Sequence, residues 1–310
     1  MKELKLTIND LAILFNEKEL SKKVVSIFNN EEPLLYRNLN VTEVNEVLES
    51  IKNKISNPET NSAGPEFKDN WEANWRENLD KFEPKKNDSF LIPNFIHNVS
   101  VLRFKGNYIM PITPNFEMKV VRILRTFVFE KFFANIDSLY EFGAGTGFNL
   151  VQFGEMFPDK KLFGYDWTES SVKLISLAGE SKNLKLHSAK FDMFRPDFGL
   201  NVDRNSGLLT VGALEQLGTN WIEFLEFMLS KNFSIYMHIE TNYEKNKKET
   251  DDFNMIASVY IERRNWLRGY FAKLEELETQ GVLEIIFNKT IIGSKFHDSW
   301  NVTVWKLKNV

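Results

Sequence analysis

Three glycines follow a short apolar stretch in the segment EFGAGTGFNL, where Glu141 precedes Gly143, Gly145 and Gly147. Glycine tolerates positive φ and lets a ligand approach the backbone closely, and the amino terminus of a following helix offers unpaired N–H groups. Such a turn predicts a cradle for a nucleotide-like ligand. Many doubly wound proteins contain a similar glycine run, so the run alone is weak evidence.

A carboxylate follows at the end of the next apolar segment. The segment LFGYDW places Asp166 nineteen residues after Gly147. A carboxylate at this position in a strand–turn–helix fold can accept hydrogen bonds from both ribose hydroxyls of a nucleotide. The two segments together therefore predict two strand ends that converge on one adenosine.

With these two motifs the sequence resembles the class I S-adenosylmethionine (SAM)-dependent methyltransferases, whose first motif is acidic-x-Gly-x-Gly-x-Gly. The resemblance covers about residues 137–310. It implies a Rossmann-like domain that binds SAM and releases S-adenosylhomocysteine (SAH). It also implies that the cofactor is bound by Glu141, Gly143, Ala144, Gly145, Gly147, Asp166, Trp167, Asp192, Met193, Glu215 and Gln216.

The same resemblance implies a role for each carboxylate. Glu141 is expected near the methionine amino group, partly through water, and Asp166 at the ribose. Asp192, after the third strand, is expected at the adenine amino group, with Met193 or Phe194 against the ring. The alternative for Asp192 is a solvated loop carboxylate.

A nicotinamide or flavin dehydrogenase is the rival interpretation, because it uses the same nucleotide-binding logic. The dinucleotide fingerprint is Gly-x-Gly-x-x-Gly, and its third glycine lies inside the helix. Here the spacing is Gly-x-Gly-x-Gly, and Asn149 stands where that third glycine is needed. The spacing favours the methyltransferase.

Candidate catalytic residues follow the fourth and fifth predicted strands, in VGALEQLG and YMHIETNY. Glu215 and Gln216 are expected to contact cofactor or substrate. Methyl transfer needs proximity, and a base if the acceptor is a hydroxyl. We predict His238 as that base because imidazole titrates near neutral pH, with a buried structural histidine as the alternative. Glu215 and Glu240 are further catalytic candidates, and we predict no metal.

Residues 1–135 are predicted to form a mainly helical cap that supplies the acceptor pocket. Trp71 and Trp75 fall on one helix face, which indicates either core packing or an aromatic wall over a substrate. Arg76 lies nearby and could hold an anion. We include Tyr108 among the candidate substrate contacts, with less support from its spacing.

Residues 136–310 are predicted to form the methyltransferase domain. Strand and helix patterns alternate there, which predicts a mostly parallel seven-stranded sheet with right-handed crossovers. The last two strands, joined by a short loop, are expected to pair antiparallel and to close the sheet. One long polar helix is predicted over residues 251–279.

Composition narrows the class of partner. The 43 acidic and 39 basic side chains give a net charge of −4, which disfavours a nucleic-acid substrate. The Asn/Asp-Pro-Pro-Tyr/Phe signature of DNA-base methylases does not occur. The absence of cysteine excludes thiolate metal sites and cysteine nucleophiles. No apolar stretch approaches the roughly 18 residues of a membrane span, and charges interrupt the amino terminus, so we expect a cytoplasmic protein with no membrane partner.

These observations predict a methyltransferase that acts on the hydroxyl of a small molecule or a sugar, in glycan or secondary metabolism. Methylation of a protein side chain is the second hypothesis. A SAM-binding sensor or partner subunit without catalysis is the third.

Overall fold

The computed structural model describes residues 2–57, 62–83, 89–93, 100–248, 252–298 and 300–308. The strands are β1 (Leu4–Lys5), β2 (Leu35–Asn38), β3 (Leu102–Phe104), β4 (Asn107–Pro111), β5 (Ser138–Phe142), β6 (Lys161–Asp166), β7 (Leu186–Lys190), β8 (Ser206–Val211), β9 (Ile235–Glu240), β10 (Leu283–Thr290), β11 (Gly293–Ser294) and β12 (Asn301–Leu307). The α-helices are α1 (Ile8–Phe15), α2 (Lys22–Asn30), α3 (Val41–Ser56), α4 (Lys68–Asp80), α5 (Phe116–Phe133), α6 (Phe148–Met156), α7 (Glu169–Lys182), α8 (Ile222–Lys231), α9 (Tyr243–Lys248), α10 (Asp252–Arg263) and α11 (Tyr270–Thr279).

The larger sheet has seven strands in the order β10-β12-β9-β8-β5-β6-β7. Strands β9, β8, β5, β6 and β7 pair in parallel, and β12 is antiparallel to both β9 and β10. The antiparallel strand β12 thus lies between β9 and the edge strand β10. This is the strand order of the class I methyltransferase fold. The predicted fold class is confirmed, including the antiparallel pairing of the last two strands of this sheet.

Helices cover both faces of this sheet, as a parallel sheet requires. On one face, α5 and α6 bury Phe129, Phe133 and Phe153 in a core shared with Leu139 of β5. On the other face, α8 and α11 bury a second core that includes Phe224. The carboxyl ends of the parallel strands are therefore the open edge, where a ligand can bind.

The amino-terminal region is mainly helical but also contains a second, antiparallel sheet in the order β1-β2-β4-β3-β11. The β3–β4 hairpin turns at Lys105 and Gly106, which both have positive φ. The edge strand β11 comes from the chain between β10 and β12. Helix α5 belongs to the core of the larger sheet, so apolar packing is continuous across residue 135, and a domain boundary there stays a prediction.

The prediction of a single long helix over residues 251–279 is wrong. The chain instead forms α10 and α11, separated by a turn in which Asn265 and Gly269 have positive φ. Trp266 and Leu267 are buried inside this turn. Burial of these two side chains against the rest of the fold outweighs the helical tendency of the polar residues on either side.

None of the described helices is long and apolar enough to cross a membrane.

Candidate functional site

The glycine turn fastens the end of β5 to the end of β6. The N–H groups of Gly143 and Ala144 both donate to the carbonyl of Tyr165, at 2.8 and 2.9 Å. Gly143, Gly145 and Gly147 have φ of +73°, +55° and +78°, a region that side chains disfavour. The predicted cradle is therefore formed at the open edge of the sheet.

Asp166 is buried beneath this turn and orders it. Its Oδ2 accepts the N–H of Gly145 at 3.0 Å, and its Oδ1 accepts the N–H and Oγ1 of Thr168 at 3.0 and 2.7 Å. Burial raises the pKa of this carboxyl above its usual value. Each carboxylate oxygen can accept two hydrogen bonds, so Oδ2 keeps capacity for a ligand hydroxyl. The ribose role of Asp166 stays a prediction.

A pair of aromatic rings lies beyond Asp166. The rings of Trp167 and Phe194 stack with centroids 5.6 Å apart. Asp192 accepts the N–H of Phe194 at Oδ1, at 2.9 Å, so part of its carboxylate holds this loop. The Cε of Met193 lies 3.5 Å from the position that a Cβ on Gly143 would take. The loops after β6 and β7 thus reach the glycine turn.

Glu141 is fully buried beside the glycine turn. Its Oε1 accepts the amide of Asn149 at 2.6 Å, while its Oε2 has no partner among the described residues. Asn149 also accepts a hydrogen bond at 2.8 Å from Arg125, a buried residue of α5. Burial raises the pKa of Glu141 to about 8 and lowers the pKa of Arg125 to about 9. A buried carboxylate oxygen without a donor is costly, and a ligand ammonium would satisfy it.

Helix α4 covers the glycine turn with its tryptophans. A Cβ on Gly145 would lie 2.9 Å from Cζ2 of Trp75, and the rings of Trp71 and Trp75 stack at 5.6 Å. The indole nitrogen of Trp71 donates to Oε1 of Gln216 at 3.2 Å. Trp75 is buried in a small hydrophobic core with Val151 and Leu174, and Trp71 packs against that core, which is the core-packing alternative. Contact of these two rings with a substrate stays a prediction.

A carboxylate fixes α4 in this position. Glu72 accepts the backbone N–H of Glu169 at 2.8 Å and both the N–H and hydroxyl of Ser170, at 3.2 and 2.6 Å. It thereby caps the amino terminus of α7, where a negative charge is favourable. No local sequence pattern indicates this contact, because its residues are almost one hundred positions apart in the chain.

Two further predicted substrate contacts stay predictions. The side chain of Arg76 is 61% exposed, and it pairs with Glu72 at 2.8 Å. Tyr108 is buried, and its hydroxyl donates to the carbonyl of Lys295 at 2.9 Å. The first residue thus lies on the surface of α4, and the second supports the small sheet.

The prediction of His238 as the base is wrong. Its side chain is fully buried, and its ring nitrogens lie 2.9 Å from the hydroxyl of Thr210 and 2.8 Å from the hydroxyl of Tyr270. Burial lowers the pKa of His238 to about 3, so the ring is neutral at physiological pH. The alternative of a structural histidine is the one that the structure supports.

Glu240 is also structural, contrary to its prediction as a catalytic candidate. Its Oε1 accepts the N–H groups of Ala213 and Leu214, both at 3.1 Å, and its Oε2 accepts the N–H of Glu215 at 3.4 Å. Burial raises the pKa of Glu240 to about 7. This fully buried side chain shapes the loop after β8 and does not reach a substrate.

Glu215 stands on the loop that Glu240 holds. It is half-buried, and its Oε2 lies 3.4 Å from the hydroxyl of Thr241. Burial, followed by the negative charge of Glu240, raises the pKa of Glu215 to about 8, although the positive charge of Arg264 opposes this rise. Of the three predicted catalytic groups, Glu215 is the one placed at the open edge with part of its surface accessible.

His297 continues the polar chain from Glu215. Its Nδ1 lies 3.0 Å from the hydroxyl of Thr241, and its ring centroid is 4.9 Å from that of Trp266. Nothing in the local sequence connects His297 with β9. Another histidine of the sequence, His97, lies outside the described residues. Among the described residues, no group of three or more His, Asp or Glu side chains is arranged to hold a metal ion.

No protein-family model matches this sequence, and no curated protein matches it. Three solved structures illustrate the likeness of fold. A SAM-dependent methyltransferase from Aquifex aeolicus is 16% identical, covering 58% of this chain and 87% of that chain with a TM-score of 0.41. A plantazolicin methyltransferase in complex with a monoazolic desmethylPZN analog and SAH is 15% identical. The match covers 86% of this chain and 100% of that chain, with a TM-score of 0.46. The methyltransferase domain of bacterial CtHen1-C is 14% identical. The match covers 61% of this chain and 100% of that chain, with a TM-score of 0.45. These likenesses are distant, and the fold assignment rests on the strand order.

Proposed function

We propose that this chain is a SAM-dependent methyltransferase that transfers a methyl group to the hydroxyl of a small molecule or a sugar. One observation carries the proposal: beside the glycine turn of a class I sheet, Glu141 holds a fully buried carboxylate oxygen without a partner among the described residues. The methionine amino group of SAM is a donor that would satisfy it. The residues present therefore fit this cofactor.

The rest of the cradle suits an adenosine. The glycine turn lets the ligand approach the backbone, and the stacked pair of Trp167 and Phe194 offers aromatic surface to an adenine ring. Asp166 remains the candidate for the ribose hydroxyls. SAM, when bound, supplies a methyl group already activated by its positive sulfur.

Glu215 is the candidate base of this proposal. A hydroxyl acceptor must lose a proton as it attacks, and a carboxylate with a pKa of about 8 is a stronger base than an ordinary glutamate. Glu240 keeps Glu215 in place because it accepts three backbone N–H groups of the same loop. Helix α4 excludes water from the cradle through Trp71 and Trp75, which protects the reacting groups.

The position of α4 also favours a small acceptor over a protein side chain. The hydrogen bond between Trp71 and Gln216 bridges the cap and the loop after β8, directly across the open edge of the sheet. A protein substrate needs a long open groove at this edge, whereas a small acceptor can be enclosed there.

Thermal denaturation with SAH and, separately, with NAD tests the cofactor. We expect SAH to raise the melting temperature and NAD to leave it unchanged, and the reverse result would refute the proposal. Incubation with SAM and pools of sugars, hydroxy acids and peptides, followed by quantification of SAH, then tests transfer. Binding of SAH without product from any pool would favour the non-catalytic sensor.

A further inference from the structure

Arg103, Arg264 and Trp266 each hold a buried donor atom without a hydrogen-bond partner among the described residues. We call these three residues, together with His297, the arginine cluster. Arg103 belongs to β3 and is 9% exposed. Its Nη2 donates to Asn254 at 3.3 Å and its Nε lies 3.7 Å from Asp298, but its Nη1 has no partner among the described residues.

Arg264 enters the cluster from the turn after α10. Its guanidinium carbon is 4.8 Å from the ring centroid of Trp266 and 5.9 Å from that of Tyr260. It forms no ion pair within the described part of the chain, and its Nε is buried without a hydrogen-bond partner there. The indole nitrogen of Trp266, a residue that is 7% exposed, lacks a partner in the same way.

The two arginines converge on one imidazole. The ring of His297 lies 4.9 Å from Trp266. Its pKa is lowered to about 3 by burial and, to a smaller degree, by the positive charges of Arg103 and Arg264. Arg103 lies 3.7 Å from Asp298, which follows His297 in the chain. Arg264 lies over the rings of Tyr260 and Trp266, which are 5.9 and 4.9 Å from the ring of His297, so the two arginines approach the same region from two different elements of the fold.

All three unsatisfied atoms are donors, and two of them carry positive charge. Leaving a buried donor without an acceptor costs about 1–3 kcal/mol, and more for a charged group. Asp298 is the one carboxylate within ion-pair distance of either arginine among the described residues. These three donors therefore lack acceptors, which a carboxylate or a phosphate group supplies with the paired oxygens that a guanidinium group matches.

We propose that the arginine cluster binds the carboxylate or phosphate group of the methyl acceptor, which makes the substrate an anionic hydroxyl compound such as a sugar acid or a sugar phosphate. This inference rests on the proposed function. Its location supports it, because hydrogen-bond contacts lead from Trp71 through Gln216, Glu215 and Thr241 to His297. An acceptor held by its anion at the arginines thus presents its hydroxyl toward Glu215.

The test uses the full chain at constant ionic strength, with chloride as the balancing anion. Isothermal titration with glucuronate, inorganic phosphate and neutral glucose reports binding, and SAH is titrated into each protein as a separate measurement. We expect glucuronate, phosphate or both to bind and glucose not to bind. Glucuronate alone would identify a carboxylate site, and phosphate alone a phosphate site.

Arg264→Gln should weaken anion binding at least tenfold, and Arg264→Lys should weaken it less. Arg103→Gln is the second variant, in case Arg264→Gln does not fold. The matched control is Arg263→Gln, the exposed neighbour at the end of α10, which should bind as the unmodified protein does. Anion binding equal to that of glucose, or unchanged in both Gln variants, would overturn the inference. If SAH binds but anions do not, the proposed function survives alone, and the converse result leaves an anion site without the methyltransferase.

Discussion

The indole nitrogen of Trp71 donates a hydrogen bond of 3.2 Å to Gln216, a residue 145 positions further along the chain. This bond joins helix α4 of the cap to the loop after β8, across the edge where the parallel strands end. The cofactor cradle is therefore covered by a contact between two regions that the sequence places far apart.

Trp71→Phe and Gln216→Ala should each remove this hydrogen bond, and we expect each to speed the dissociation of SAH severalfold. The phenylalanine keeps ring contact with Trp75, so the loss of folding stability should stay near 1 kcal/mol. Denaturant unfolding and stopped-flow tryptophan fluorescence measure the two effects. The double variant serves as control, because additive effects would show that the two side chains are not coupled.

SAH binding should release protons through Glu141. Burial raises the pKa of Glu141 to about 8, so the carboxyl is mostly protonated at pH 7. Pairing with the ligand ammonium lowers that pKa and expels the proton. Titration calorimetry at pH 7, in buffers of different ionisation enthalpy, should show net release of up to one proton per SAH. The Glu141→Gln variant should release no proton on binding SAH, and its affinity for SAH should fall at least tenfold. Proton release that persists in this variant would show that another group loses the proton.

Gly145→Ala should damage the cofactor cradle more than its conformation alone explains. Both Gly145 and Gly106 have positive φ, but a Cβ on Gly145 would lie 2.9 Å from Trp75, whereas a Cβ on Gly106 meets nothing within 4 Å. Gly106→Ala is thus the matched control and should cost about 1 kcal/mol from backbone strain. We expect Gly145→Ala to lower the free energy of unfolding by more than Gly106→Ala does. It should also weaken SAH binding, whereas Gly106→Ala should bind SAH as the unmodified protein does. Equal losses in both variants would contradict the contact with Trp75.

His238 should change stability with pH and leave the chemistry unaltered. Its pKa is about 3 in the folded state against about 6.5 for an ordinary histidine, so the unfolded chain takes up a proton that the folded state refuses. Its contribution to stability is therefore full above pH 6.5 and is lost as the pH falls toward 3, by about 1.4 kcal/mol per unit. His238→Gln should be less stable at pH 7.5, and its disadvantage should shrink at pH 5. A constant difference in urea unfolding across this range would argue that His238 is accessible to protons.

Glu215→Gln and Glu240→Gln should separate catalysis from loop support. With an active acceptor, Glu215→Gln should lower the rate of methyl transfer by roughly 10²–10⁴-fold while SAH still binds. The unmodified enzyme should gain rate as the pH rises through about 8, because the base must be ionised, and the variant should not. Glu240→Gln should instead lower the melting temperature, since Glu240 accepts three backbone N–H groups. A pH profile unchanged by Glu215→Gln would remove Glu215 from the chemistry.

The glycine turn, Asp166 and the strand order were predictable because each depends on local pattern, either of alternating elements or of glycines at fixed spacing. The role of His238 was not, because residue type says nothing of burial, and Thr210 and Tyr270 approach it from distant segments. The arginine cluster escaped prediction for the same reason. Arg103 and Arg264 lie on β3 and after α10, and only the tertiary fold brings them to His297.

Strand β11, a two-residue piece between β10 and β12, pairs with β3 and completes the amino-terminal sheet. During synthesis the β3 edge of this sheet stays unpaired until residues 293 and 294 have left the ribosome. Arg103 lies on this edge, in register with Gly293, and His297 follows Gly293 by four residues. The arginine cluster therefore assembles only after residues 293–297 have been synthesised, later than the strands that form the cofactor cradle.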